Sequence, residues 1–361
     1  MNRVRIKDIA EIAQVSIGTV DRVIHNRGEV SPATREKIQR LLLEFDYKPD
    51  IAARSLALKR EIHLAVVMPE VVHSHTFWKL PRQGIQQALD ALEHRHVILH
   101  EFYFDQMDRA PFRALVKQFP YDRVEGILFA PVFQEESVQF LKRCAARSLP
   151  VVLFNSLLEE PSVASFVGQD AYQSGYVAAS LMDYGLVQGR DVAVVNMSAR
   201  TGYYAHITDR ERGFRAYFEK KRGRLNRLIS IDLHGADDCM LKEKLRNTIA
   251  DHDIAGIFVT NSRVHKVARC LTELDQVVRL VGYDLLPENI LFLEQERIDF
   301  LLSQQPEDQA YMGFNSLYNL VVFKRKPAPR QWLPIDIITR ENLHYYQSKS
   351  MESWNQTQGI A

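Results

Sequence analysis

The stretch VSIGTVDR, residues 15–22, has apolar residues on one side of a short helical repeat and an unusual set of residues on the other. Val20 lies at helical spacing from the later Val23 and Ile24, so these side chains can be buried together. The opposite face carries Ile17, Gly18, Asp21 and Arg22. What this outer face contacts follows from the helices on either side of it.

Apolar periodicity predicts a helix before this stretch and another after it. The first carries Ile6, Ile9, Ala10 and Ala13. The third begins after Ser31, a predicted N-cap followed by Pro32, and carries Ile38, Leu41, Leu42 and Phe45. Ser16 is placed to cap the middle helix. Three short helices with one core form a helix-turn-helix unit, in which the second helix enters the DNA major groove.

The segment IKDIAEIAQVSIGTVDRVIHNRGEVSPATREKIQRLLLEFDYKPDIAARSL, residues 6–56, resembles the DNA-binding segment of LacI-family transcription factors. The strings VS..TV.RV, VS..TR and Y.P...ARSL carry the resemblance. It implies that Ile17, Gly18 and Arg22 read bases, and arginine can bond guanine through two hydrogen bonds. Phosphate or backbone contacts are expected from Ser16, Thr19, Asn26 and Thr34.

Two positions depart from the family pattern. Asp21 stands where the family usually has serine, and Gln14 replaces the usual glycine of the turn. An acid beside phosphates is repulsive, so we expect Asp21 to orient Arg22 or a neighbouring basic side chain, or to accept from a cytosine amino group. The alternative is that this face is only the solvated surface of a structural three-helix unit.

Residues 49–61 form a linker between this unit and the next. The segment has helical propensity but little to pack against, so alone it is expected to be unfolded. In the family that it resembles, two copies form hinge helices over the operator centre. Leu56 matches the leucine that enters the minor groove, and Ala53 matches the packing position. A plain tether is the alternative.

Length and composition indicate a folded protein of several units. The chain has 361 residues, which exceeds what one hydrophobic core usually organises. Residues 1–60 have a net charge of +4 and the remainder −3, which hints at a polyanionic partner but equally fits a solvated helical face. The scattered cysteines Cys144, Cys239 and Cys270 indicate reduced thiols and no zinc site. A charged N-terminus and short apolar runs predict a cytoplasmic protein.

From residue 61 onward, short apolar runs alternate with amphipathic helical segments, which predicts parallel sheets covered by helices. The predicted strands are HLAVVM, VILHEFY, GILFAP, PVVLFN, SFVGQD, DVAVVNM, LISIDL, AGIFVTN and VRLVGYD. Their number fits two doubly wound lobes, and the family resemblance implies the fold of type I periplasmic sugar-binding proteins. We expect one lobe at about 62–165 plus a returning segment near 304–329, and the other at about 166–302 plus 330–345.

Polar and aromatic residues at the predicted strand ends are candidate effector contacts, because a sugar needs hydrogen bonds at its rim and flat surfaces against its C–H faces. HTFWKLPRQGIQQAL resembles the family's first strand-to-helix loop and offers Phe77 and Trp78 for stacking, with core filling as the alternative. DRERGF resembles the family's arginine element, so Arg210 is expected to reach the ligand. A surface salt bridge is the alternative role.

The remaining effector candidates follow later strands. VTNS and VGYD place Asn261 and Asp284 at the cleft, and FLLSQQP matches Gln304 to the glutamine of sugar-binding relatives. Asn155 stands where ribose-type relatives often carry aspartate, a departure that weakens an assignment to ribose. Asp170 is expected to order the lobe junction rather than to contact ligand.

These features predict a DNA-binding transcriptional regulator whose operator affinity changes when a sugar or sugar derivative binds between the lobes. No GxSxG, HExxH, P-loop or GxGxxG motif is present, so no catalytic residue, metal or cofactor is expected. The alternative is a sugar-binding or sugar-modifying protein whose N-terminal helices read no DNA. A homodimer on a pseudo-palindromic operator is expected, with boundaries at 1–48, 49–61, 62–345 and a polar tail at 346–361.

Overall fold

The computed structural model of the protein describes residues 6–24, 28, 30–45, 60–71, 76–92, 96–198, 205–221, 224–225, 227–235 and 237–347. These residues divide into two compact units, of which the second begins at Ile62. The predicted linker and its hinge helix, at 49–61, lie outside the described residues except for 60 and 61. The linker and the four boundaries therefore stay predictions.

The first unit contains the three predicted helices. They are α1 (Ile6–Ala13), α2 (Ile17–Ile24) and α3 (Pro32–Glu44). Ile9, Val20 and Ile38, one from each helix, are fully buried in a common core. Gln14, in the turn between α1 and α2, has a φ of 56°, a left-handed conformation that glycine adopts with less strain. The turn geometry thus explains why a glycine is usual there.

The second unit contains two six-stranded sheets. The strands are β1 (Ile62–Pro69), β2 (Val97–Phe104), β3 (Gly126–Phe129), β4 (Val151–Phe154), β5 (Val163–Gly168), β6 (Asp191–Ser198), β7 (Leu228–His234), β8 (Ile254–Val259), β9 (Arg279–Tyr283), β10 (Phe300–Ser303), β11 (Arg330–Trp332) and β12 (Asp336–Ile338). Each of the predicted strand segments overlaps one of β1–β9. The central strands are almost continuously apolar because helices cover both faces of each sheet.

Helices connect and cover these strands. They are α4 (Lys79–Asp90), α5 (Arg109–Gln118), α6 (Gln134–Ala145), α7 (Ala171–Asp183), α8 (Ala205–Lys220), α9 (Asp238–Asp251), α10 (Val264–Glu273), α11 (Pro287–Glu294) and α12 (Pro306–Phe323). The described part of the chain contains no helix with the length and apolar character needed to cross a membrane.

The two sheets have the same strand arrangement. Their orders are β11-β5-β4-β3-β1-β2 and β12-β10-β9-β8-β6-β7. The pairing is parallel throughout, except that β12 runs antiparallel to β10. Each lobe is therefore a doubly wound α/β layer, and the polar residues after β4, β8, β9 and β10 lie at strand carboxyl ends, where such folds bind ligands.

The expected assignment to lobes is wrong for one segment. Strand β5 continues to Gly168 in the first sheet, close to the expected end at about 165. Strand β11 pairs with β5, so 330–332 belong to the first lobe and not to the second. The error at β11 has a physical reason: its three residues lie at the sheet edge, and Arg330 and Trp332 are exposed, so no apolar run marks them.

Two helices of the second lobe cross at a very short distance, and glycine makes this crossing possible. A Cβ atom on Gly175 of α7 would lie 1.9 Å from the backbone oxygen of Arg210 in α8. A Cβ atom on Gly213 of α8 would lie 1.9 Å from the backbone oxygen of Tyr172. This close packing fixes the position of the α8 turn that carries Arg210.

We expect Gly175→Ala to destabilise the second unit by about 3 kcal/mol, because the methyl group meets backbone that cannot rotate away. Thermal and urea unfolding of the full-length variant and of the natural protein measure the difference. Ser180→Ala, a small substitution on the same helix, is the control and should change stability by less than about 0.5 kcal/mol. Equal stabilities of Gly175→Ala and Ser180→Ala would contradict the packing argument.

Candidate functional site

Helix α2 presents the residues predicted to read bases on its outer face. Ile17 is 48% exposed and Arg22 is also exposed, whereas Val20 and Val23 of the same helix are buried. The nearest atom to a Cβ built on Gly18 is Ser16 Oγ, at 3.7 Å, so packing within this unit does not require glycine there. An exposed apolar residue and a glycine that the fold does not need are features of a contact surface.

Serine and threonine order the N-termini of both α2 and α3. Thr19 N donates to Ser16 Oγ at 3.1 Å, and Thr34 N donates to Ser31 Oγ at 3.3 Å. The predicted caps at Ser16 and Ser31 are thus present. The same arrangement puts the Thr19 and Thr34 hydroxyls at helix N-termini, where backbone N–H groups favour anions such as phosphate.

Of the other four predicted DNA contacts, the structure describes only Asp21. Asp21 is half-buried on α2. Asn26, Ala53 and Leu56 lie outside the described residues, so their roles stay predictions.

In the second unit, a cavity of about 110 Å³ lies between the two lobes. The first lobe contributes the aromatic pair of the β1–α4 connection, Gln106, Val132 and Asn155. The second lobe contributes residues from β6, from helices α8, α10 and α11, and from the segments after β8, β9 and β10. The lining residues are Phe77, Trp78, Gln106, Val132, Asn155, Met197, His206, Ile207, Arg210, Asn261, Ser262, Arg263, His265, Lys266, Leu286, Glu288 and Gln304.

Six of the seven predicted effector residues line this cavity. They are Phe77, Trp78, Asn155, Arg210, Asn261 and Gln304. The seventh, Asp284, is not among the lining residues; it is 1% exposed and lies behind Gln304, whose Nε2 donates to Asp284 Oδ2 at 2.6 Å. Asp284 therefore reaches a ligand only through Gln304 unless Gln304 moves.

Asn155 directly follows β4, and Asp284 directly follows β9. These two strands have the same place in the strand orders of their sheets, so the two residues occupy equivalent positions. Their φ angles are 68° and 70°, both left-handed. Asparagine and aspartate tolerate this conformation better than most residues. The sharp turn that ends each strand thus explains the residue type there as well as its place at the cleft.

Arg210 is the most constrained side chain of the cavity. It is 2% exposed, its Nη1 donates to Thr260 O at 2.7 Å, and its Nη2 donates to Gln304 Oε1. Its guanidinium carbon lies 3.8 Å from the centre of the Tyr283 ring, a cation–π contact. These contacts replace the surface salt bridge considered above as the alternative role. Arg210 Nε has no hydrogen-bond partner.

The Gln304 amide lies between a cation and an acid. It accepts from Arg210 and donates to Asp284, and its backbone N–H also donates to Asp284 Oδ1 at 3.3 Å. Burial raises the pKa of Asp284 to about 6, against the opposing influence of Arg210 and of the Gln304 hydrogen bonds.

The aromatic pair at the start of α4 has two different environments. Trp78 is 4% exposed, donates from its indole nitrogen to Gln106 Oε1 at 3.0 Å and packs edge-on against Phe154. Phe77 is half-buried and meets Trp78 edge-to-face at 5.1 Å between ring centres. Both rings reach the cavity, but Phe77 has the more accessible surface for a sugar ring.

Several residues of the cavity wall are not among the predicted effector contacts. His206 accepts or donates a 2.9 Å hydrogen bond with Ser156 of the other lobe, and Arg263 Nη2 lies 3.9 Å from Met107 Sδ across the cleft. Arg263 could have been found from its spacing, two residues after Asn261. Asp170 lies outside the cavity lining and caps α7 by accepting from Gln173 N at 2.9 Å.

No group of three or more histidine, cysteine, aspartate or glutamate side chains could hold a metal ion among the residues with a described placement. The three cysteines are free thiols.

Comparison with known proteins gives two family matches. Residues 64–325 match the family described as periplasmic binding protein domain, and residues 5–50 match that of bacterial regulatory proteins, lacI family. The regulator DegA of Bacillus subtilis is 31% identical over 176 residues, which cover 48% of this chain and 50% of DegA. The regulator MalR of Streptococcus pneumoniae is 26% identical over 273 residues, 70% of this chain and 81% of MalR.

Solved structures share the fold of the second unit. A putative LacI transcriptional regulator from Bacteroides fragilis superposes with a TM-score of 0.73 at 24% identity, covering 80% of this chain and all of that one. The glucose-galactose binding protein GanP of Geobacillus stearothermophilus superposes with a TM-score of 0.69 at 19% identity, covering 79% and 99% of the two chains. The match over residues 64–325 shows that the chain belongs to the periplasmic binding protein domain family, and its N-terminal unit has the helix-turn-helix of bacterial regulatory proteins of the lacI family.

Proposed function

We propose that the protein is a sequence-specific transcriptional regulator that binds operator DNA through α2 and responds to a small ligand held between the lobes. The observation that carries this proposal is the outer face of α2, where Ile17 is 48% exposed on a helix whose Val20 is fully buried. Leaving the apolar side chain of Ile17 in water is unfavourable, and contact with a thymine methyl group would remove it from water.

The ligand class that we propose is a sugar or a sugar derivative. The cavity combines an aromatic surface at Phe77 with amide groups at Asn155, Asn261 and Gln304, which suits the C–H faces and hydroxyl groups of a sugar. The sucrose operon repressor of Lactococcus lactis, 23% identical over 285 residues, supports this class, as does GanP.

We infer that the cleft binds its ligand without chemical turnover. Glycoside hydrolysis uses two carboxyl groups that flank the scissile bond. Of the described residues that line the cavity, Glu288 alone is acidic, and Asp284 is hydrogen-bonded behind Gln304. DegA and MalR are transcriptional regulators, which favours binding without turnover.

A homodimer in the cytoplasm completes the proposal. Two copies would place two α2 helices on the half-sites of a pseudo-palindromic operator. Ligand binding that shifts the lobes would then change operator affinity by about 1–3 kcal/mol, the usual range for such coupling. The linker residues Ala53 and Leu56 would form the hinge helices of the bound dimer.

Footprinting of genomic fragments with the full-length protein, with and without a panel of sugars, tests the proposal. Protection of a pseudo-palindromic site that one sugar strengthens or weakens is the expected result. Absence of protection on every fragment at modest salt would overturn DNA binding, whereas chemical conversion of a sugar would overturn the binding-only cleft.

We expect Arg22→Ala to weaken binding to the protected site about tenfold to a hundredfold, because the two hydrogen bonds from arginine to a guanine base are lost. Non-specific binding should stay nearly unchanged. Fluorescence anisotropy on the protected site and on a scrambled duplex measures both affinities. Arg40→Ala removes the same charge from α3, where Arg40 pairs with Glu36 at 3.2 Å, and is the matched control. Equal losses in Arg22→Ala and Arg40→Ala would exclude base reading by Arg22.

We expect the stability of Asp284→Asn, relative to the natural protein, to rise by about 2 kcal/mol between pH 4 and pH 7. The raised folded-state pKa of Asp284, about 6, means that folding favours the protonated acid. Its contribution to stability is full below the unfolded pKa and is lost as the pH rises through 6, whereas asparagine does not titrate. Urea unfolding of both proteins across this range measures the difference, and parallel pH profiles would show that Asp284 titrates normally.

A further inference from the structure

A buried asparagine of α11 connects two of the segments that form the cavity wall. Asn289 is fully buried, and its Nδ2 donates to the backbone oxygens of Ser262, Tyr283 and Asp284, each at 2.9 Å. Ser262 directly follows the strand residues of β8 by two positions, whereas Tyr283 ends β9. Carbonyl oxygens can only accept, so the Asn289 amide has its nitrogen on this side and its oxygen on the other.

The oxygen of this amide meets His265, in the first turn of α10. Asn289 Oδ1 accepts from His265 N at 3.0 Å and lies 2.9 Å from His265 Nδ1. An amide oxygen has no hydrogen to donate, so the hydrogen of the second contact belongs to Nδ1. A neutral imidazole carries one ring hydrogen, which leaves Nε2 without one. Asn289 therefore holds His265 in the tautomer whose Nε2 is an acceptor.

The His265 ring is neutral near pH 7. Burial lowers the pKa of His265, and the charges of Lys266 and Arg269 lower it further, against the opposing influence of the Asn289 hydrogen bond and of Glu288. The side chain is half-buried and lines the cavity. Within the described part of the chain, Nδ1 is the ring nitrogen that has a hydrogen-bond partner. Nε2 is therefore the ring nitrogen that a ligand can use.

The second-lobe wall offers more donors than acceptors to a ligand. Arginine and lysine side chains, which line it, can only donate hydrogen bonds. Gln304 Oε1 already accepts from Arg210, and Asn261 Oδ1 accepts from Arg263 N at 3.1 Å. A sugar hydroxyl that accepts from one of the donors still needs an acceptor for its own hydrogen. The neutral imidazole nitrogen supplies such an acceptor.

We propose that His265 is a specificity-determining residue whose Nε2 accepts a hydrogen bond from one hydroxyl group of the bound sugar, with Asn289 as the positioning residue. The proposal rests on the proposed function, because it names a contact within the same cleft. A ligand that lacks this hydroxyl leaves the acceptor unpaired and binds more weakly.

Calorimetric titration of the full-length protein identifies the hydroxyl group. The probes are glucose, galactose, mannose, fructose, arabinose and ribose, followed by each monodeoxy derivative of the sugar that binds most tightly. We expect one monodeoxy derivative to bind the natural protein about tenfold more weakly than its parent sugar. His265→Ala should bind this derivative and the parent sugar equally, because the acceptor is absent. A general structural disturbance would instead preserve the difference between the two sugars.

Nitrogen NMR of the full-length protein, labelled with ¹⁵N at histidine, reads the tautomer at pH 7. The signals that are missing in His265→Ala belong to His265. We expect an Nε2 without hydrogen in the natural protein, and a shift of its resonance when the sugar is added. In Asn289→Ala the tautomer with hydrogen on Nε2 should gain population, a change that lower stability alone would not produce. If Asn289→Ala does not fold, the tautomer in the natural protein decides.

His344→Ala is the matched control for His265→Ala. It removes an exposed imidazole outside the cavity lining, so it should bind the sugar and its monodeoxy derivatives like the natural protein.

A hydrogen on Nε2 of His265 in the natural protein at pH 7 would overturn the proposal. So would a His265→Ala variant that discriminates between the parent sugar and every monodeoxy derivative as the natural protein does. Either result refutes the role of His265 and leaves the proposed function intact, provided that a sugar binds. If none of these sugars binds the natural protein, sugar recognition by the cleft fails, and the His265 contact fails with it.

Discussion

The cleft depends on one buried amide, that of Gln169, which holds together the three places where the chain passes between the lobes. Gln169 Nε2 donates to Ser303 O and to Pro334 O, each at 3.0 Å. Gln169 lies in the first crossing, Ser303 at the second and Pro334 in the third. Because Gln169 is only 6% exposed, water cannot readily replace these hydrogen bonds. These two hydrogen bonds therefore tie the three crossings to one another.

The ligand wall is connected to this junction through Gln304. Its side chain lies between Arg210 and Asp284 in the second lobe, and its backbone oxygen accepts from Gln309 Nε2 at 2.6 Å. Gln309 is fully buried in α12, which packs on the first sheet. A ligand that draws Gln304 away from Arg210 or Asp284 would thus act on a residue of the second crossing, which is hydrogen-bonded to both lobes.

Sequence patterns predicted most of the fold and much of the cavity wall, for identifiable reasons. Strands β1–β9 coincide with apolar or alternating stretches of the sequence, and the residue directly after a parallel strand lies at the binding edge, which locates Asn155 from order along the chain. Strands β11 and β12 have only three residues each and little apolar character, so no sequence pattern marks them. They are recognised as strands because they pair with β5 and β10. Asp284 also follows a strand, but its position behind Gln304 depends on side-chain packing that no spacing reveals. His206 was missed because its contact with Ser156 forms across the cleft.

Those contacts indicate how occupancy of the cavity can bias the lobes. Ser156 bonds His206, and Met107 meets Arg263, in both cases from the first lobe to the second. Both second-lobe partners line the cavity, whereas the Gln169 junction lies where the chain crosses between the lobes. Rotation about the junction would break or form the contacts at the cavity with little change at Gln169. A ligand shifts such an equilibrium only by the difference in its contacts with the two arrangements.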